Sequence, residues 1–140
     1  MPLFDLAFHL KFTGAALIFL GVSHAFFGKR FNWREETARL SPLNQQMFYV
    51  HTFFIALVCV MMGALALFGT RALLEPTLAG SWICGGFALF WACRLVFQFA
   101  VYDAQLWRGK AFETTVHVLF AAGWLYFAGV FGWAWWRQIW

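Results

Sequence analysis

MFYVHTFFIALVCVMMGALALF, residues 47–68, carries no Asp, Glu, Lys or Arg and a single imidazole, His51. A run of about 20 mostly apolar residues is what an α-helix needs to cross the hydrocarbon core of a bilayer. Ser41 followed by Pro42 places a capping hydroxyl and a first-turn proline ahead of it, so the helix is expected over 42–68. Windows of similar character lie on both sides, at 6–27, 81–102 and 112–136. The expectation is an all-α integral membrane protein with four transmembrane helices in an up-down-up-down bundle, a single transmembrane domain spanning 1–140.

Composition agrees with this reading. Of the 140 residues 63% are hydrophobic and 11% charged, where a soluble domain carries about a quarter charged. Nineteen Phe and nine Trp suit a surface that meets acyl chains and headgroups. The net charge of +4 is split among short loops and forms no stripe, so no nucleic-acid partner is expected. Cys59, Cys84 and Cys93 lie inside apolar segments without C-x-x-C spacing and read as small packing residues. No Lys or Arg precedes the first apolar run, which is therefore expected to be a retained span and not a secretory signal.

The connections set the orientation. GKRFNWREETARLSPLNQQ (28–46) is the longest, and Asn32 followed by Glu35 predicts a capping box that opens a short interfacial helix over 33–40. GTRALLEPTLAG and DAQLWRGKA read as turns. Lys29, Arg30, Arg34, Arg39, Arg108 and Lys110 fall in the first and third connections, against Arg71 and Arg137 on the other side and Lys11 just inside the first span. The cytoplasmic excess of Lys and Arg then places both termini outside, in the periplasm of a bacterial inner membrane. Trp133, Trp135, Trp136 and Trp140 form an aromatic belt on that outer side. Gly14, Gly21, Gly63, Gly85, Gly86, Gly123, Ala128 and Gly132 are expected to permit close helix approach.

Polar groups are costly inside a bilayer, about 2.5 to 3.5 kcal/mol each at the centre by insertion scales, so where they gather is a functional question. His24, His51 and His117 come from three different spans and lie at one level, about 5 to 8 Å below the inner boundary at the helical rise per residue. Arg94, Gln98 and Tyr102 are spaced i, i+4, i+8 on one helical face, with Asp103 beside them. Arg94 lies about 12 Å in from Tyr102, and Asp103, Glu113 or an anionic ligand are its expected partners. Asn44, Gln45, Thr114 and Thr115 extend the polar floor. His9 stands alone at the outer end and reads as an interfacial ring bonded to a nearby carbonyl.

Two functional classes and a structural one remain open. Imidazoles facing each other across the spans suit haem b or a transition metal in a redox-linked role, with His24, His51 and His117 as ligands and Arg94, Gln98, Tyr102 and Asp103 around the cofactor. The same residues suit the polar end of a lipid- or quinone-binding pocket in a binding or transport protein. The structural alternative is a subunit packed in a homo-oligomer or a larger membrane complex. No H-x-x-x-H, C-x-x-C-H or E-x-x-H pattern narrows the choice.

Overall fold

The computed structural model describes residues 5–139, so Trp140 of the aromatic belt lies outside the described residues. The described residues form six α-helices and contain no strand. In chain order the helices are α1 (Leu6–Arg30), α2 (Trp33–Thr37), α3 (Pro42–Phe68), α4 (Thr70–Leu74), α5 (Leu78–Ala100) and α6 (Ala111–Ile139). The four long ones are each long and apolar enough to cross a membrane. Between 17 and 33% of the most apolar window of each is buried, so most of their greasy surface faces outward. Phe19, Phe68, Leu78 and Trp82 are all exposed. Water tolerates few apolar patches of this extent, whereas acyl chains match them.

The chain divides into two units, Lys11–Gly69 and, with the start of α1 as far as Leu10, everything from Thr70 onward. In the first unit α1 and α3 run antiparallel and touch through their backbones. A Cβ added at Gly14 would lie 2.7 Å from the Gly63 carbonyl oxygen and 2.6 Å from the Leu67 amide nitrogen. One added at Gly21 would lie 2.8 Å from the Ala56 carbonyl oxygen. Only glycine admits this approach, and the register descends on α3 as it ascends on α1.

The connection between these helices is pinned to the start of α3. Trp33 meets Phe48 edge-on with centroids 5.0 Å apart. The Thr37 hydroxyl donates to the Trp33 carbonyl at 2.7 Å and accepts from the Gln45 amide at 3.4 Å. The expected capping box is absent: Asn32 adopts a left-handed backbone with φ 51° and makes no side-chain cap. Its amide donates to the Glu35 carboxylate instead, and α2 ends at Thr37, short of residue 40. Ser41 does cap α3, accepting from the Asn44 N–H at 3.4 Å with Pro42 in the first turn.

In the second unit the connection after Gly69 contains the single helical turn α4, braced by an exposed Arg71–Glu75 ion pair, where the sequence suggested only a turn. Thr77 caps α5 by accepting from the Gly80 N–H at 3.0 Å, so α5 begins at Leu78 and not at 81. It ends at Ala100, which leaves Tyr102 outside the helix. Helices α5 and α6 are antiparallel and meet through large rings: Phe87 on Phe131, Trp91 on Phe127, and Trp91 stacked on Trp124 at 5.0 Å. At one end Gln138 donates to the Leu73 carbonyl at 2.9 Å and ties α6 to α4. Gly86 and Gly123 meet nothing within 4 Å of a notional Cβ, so neither is a point of close approach as expected.

Candidate functional site

The polar residues of the second unit converge toward the far end of the α5–α6 pair. Arg94 and Gln98 sit four residues apart on α5, and their side chains meet: the Arg94 Nη1 donates to the Gln98 Oε1 at 3.1 Å. The Trp124 indole N–H donates to the same oxygen at 3.3 Å. The Gln98 Nε2 lies 2.9 Å from the His117 Nδ1 on α6. Gln98 and His117 are both buried, 6% and 8% exposed, so the contact between them is dry.

Aromatic faces enclose this network. The Arg94 guanidinium lies 5.1 Å from the centroid of Trp124 and 5.5 Å from that of Tyr102. A cation over an indole is the stronger form of this attraction, which grows as water is removed. Trp107, from the connection between α5 and α6, stacks on the His117 ring at 4.3 Å. Its position is set by the start of α6, where the Thr114 hydroxyl donates to the Trp107 carbonyl at 2.6 Å. Three buried ring nitrogens of the cluster have no hydrogen-bond partner: the His117 Nε2 and the Nε1 of Trp91 and Trp107. Buried polar groups are ordinarily satisfied, so these three mark unused bonding capacity, two on the stacked Trp107–His117 pair and one on Trp91, which stacks on Trp124.

The structure therefore unites Arg94, Gln98, Tyr102 and His117. Tyr102 joins although it has left the helical stripe, because a C-terminal turn brings its ring back over the guanidinium. Asp103 does not join. With α5 finished at Ala100, Asp103 instead caps the 3₁₀ turn Ala104–Leu106, accepting from the Gln105 N–H at 2.9 Å. Among the described residues Arg94 forms an ion pair with neither Asp103 nor Glu113, and its charge is met only by an amide oxygen and two ring faces.

Two of the expected histidines belong to the other unit. The His24 Nδ1 lies 2.8 Å from the Leu20 carbonyl of its own helix, with the ring against Phe27. His51 is exposed on α3. Among the described residues no group of three or more His, Cys, Asp or Glu side chains is arranged to hold a metal ion. His9 reaches α6, where its Nδ1 lies 2.7 Å from the Tyr126 hydroxyl.

Trp124 and Trp107 were not anticipated as site residues. Trp124 lies seven residues after His117, two helical turns along the same face, and that spacing was a usable signal. Trp107 lies in an irregular connection, where periodicity says nothing. A separate groove of about 780 Å³ on the flank of the α5–α6 pair is lined almost wholly by apolar residues, among them Leu78, Trp82, Gly85, Leu89 and Trp135. Ser81 supplies a hydroxyl to its lining. Compared with known proteins, the chain matches no family model, no curated protein and no solved structure.

Proposed function

We propose that the chain is an integral membrane protein whose four long helices cross the bilayer in alternating directions, and that its α5–α6 unit binds the polar head of an amphiphilic molecule. The loop charges favour a bacterial inner membrane with both termini on the periplasmic side, which sets the Arg94 cluster in the cytoplasmic leaflet. One observation carries the binding reading: Arg94 is a cation in an apolar helix with no carboxylate partner among the described residues. Removing a guanidinium from water is costly unless an opposite charge or a full set of hydrogen bonds replaces the water. A lipid headgroup or the polar ring of a quinone supplies what the protein omits.

Native mass spectrometry of the protein released from membranes tests this reading. Wild type is expected to retain a stoichiometric amphiphile, and Arg94→Gln to lose it, with Arg94→Lys intermediate because it keeps the charge but not the planar fork. Equal retention by all three, with each variant folded, would sink the reading.

The unpartnered Nε2 of His117 favours a second reading, in which that imidazole ligates haem or a transition metal in a redox-linked role. Its mark is a Soret band or stoichiometric metal that disappears in His117→Ala. A colourless, metal-free protein that retains lipid decides for the first reading.

A further inference from the structure

We infer that His117 is held as a hydrogen-bond donor at Nε2, and that with Arg94 it makes the site selective for an oxyanion, the phosphate or carboxylate of a lipid or a free anion. This rests on the amphiphile reading and narrows it to one class of head.

Gln98 fixes the proton on the ring. Guanidinium and indole nitrogens can only donate, and both reach the same Gln98 atom, at 3.1 and 3.3 Å. That atom must be the oxygen, because the opposite amide orientation would set NH₂ against two donors. The Gln98 nitrogen then faces the His117 Nδ1 at 2.9 Å and donates to it. A neutral imidazole carries one proton, and with Nδ1 accepting, it resides on Nε2. A doubly protonated ring would set N–H against N–H at Nδ1 and add a second cation beside Arg94.

The consequence is chemical. Ligating a metal takes a nitrogen lone pair, and in this tautomer the Nδ1 pair is occupied by Gln98 while Nε2 carries hydrogen. In this form the ring offers one buried N–H to an acceptor, and it would ligate a metal only after giving up that proton or the Gln98 bond. The unpartnered Trp91 and Trp107 nitrogens are also donors, and Arg94 retains most of its five N–H groups. Unused capacity in the cluster is thus entirely donor, with a net positive charge. An oxyanion satisfies both conditions, whereas a neutral carbonyl satisfies only the first.

The full chain in lipid nanodiscs provides the test, with phosphatidic acid and diacylglycerol as probes that differ only in the phosphate. Wild type is expected to prefer phosphatidic acid by about tenfold or more, the scale of a hydrogen bond to a charged group. His117→Phe, which keeps a ring under Trp107, should lose most of that preference. Inorganic phosphate that displaces the lipid would identify a free anion as an equal ligand; failure to displace it would assign the site to lipid heads. Nitrogen NMR of ¹⁵N-histidine-labelled protein should show His117 protonated at Nε2. Gln98→Glu should invert this, because a carboxylate can only accept from the ring; it should also neutralise Arg94 and abolish the preference. Protonation at Nδ1 in wild type, or an undiminished preference in a folded His117→Phe, would overturn the inference while leaving amphiphile binding intact. Binding of neither probe, together with no retained amphiphile, would remove both.

Discussion

The α1–α3 contact and the α5–α6 contact answer the same physical problem in opposite ways. In the proposed bilayer setting, helices gain little from burying apolar surface against one another, so shape and polar contacts must hold them. Gly14, Gly21 and Gly63 let α1 and α3 approach until a Cβ would lie under 3 Å from the opposing backbone. Helices α5 and α6 instead use stacked Trp91 and Trp124 and a hydrogen-bonded bridge from Gln98 to His117. The first contact is made by backbone against backbone, with the Thr13 hydroxyl on α1 left buried without a hydrogen-bond partner. The second leaves buried donors and a charge unsatisfied, which gives it binding capacity to spare.

The α1–α3 approach is least forgiving at Gly63. A Leu there would drive its Cβ toward the Gly14 carbonyl and the Ile18 amide, backbone atoms that cannot swing aside. Overpacking a fitted contact costs about 1 to 3 kcal/mol and more where nothing can yield, so Gly63→Leu is expected at or beyond the top of that range. Denaturant unfolding of the purified protein in mixed micelles measures it. A midpoint unchanged from wild type would mean the α1–α3 approach is not as described.

Gln98→Leu examines the other contact and is expected to cost less, about 2 kcal/mol, since it strips an acceptor from Arg94 and Trp124 and a donor from His117. Adding Arg94→Met should recover part of the loss, because removing both partners of a buried bond is milder than removing one. Purely additive losses in the double variant would show that Arg94 and Gln98 are not coupled.

How far the sequence reached differs between these regions for a physical reason. The number and approximate position of the long apolar helices were legible because length and apolarity alone decide which segments could cross a bilayer. Helix ends were less so: Thr77 starts α5 earlier than the apolar window implied, and five-residue α4 is too short for any periodic signal. In the site, Arg94 and Gln98 were legible as an i, i+4 pair on one face. The grouping of His24, His51 and His117 used rise along the axis, which fixes depth but says nothing about the direction a ring faces. Partner choice was hidden for the same reason, since the selection of Gln98 over Asp103 by Arg94 depends on where α5 stops.

Glycine supplies the finest comparison, because the sequence treats Gly63 and Gly86 alike and the structure does not. A Cβ at Gly86 meets nothing within 4 Å, although the residue lines the flank groove beside α6. Its substitution by Ala removes backbone freedom from the unfolded chain without straining the folded one, worth up to about 1 kcal/mol of stabilisation. Gly86→Ala is therefore expected to leave the unfolding midpoint unchanged or slightly raised. Lipid retention at the Arg94 cluster should also be unaffected, since the groove and the cluster share no residue. A destabilised Gly86→Ala would mean that something seats closely in the groove, and that α5 has a packing partner on this face after all.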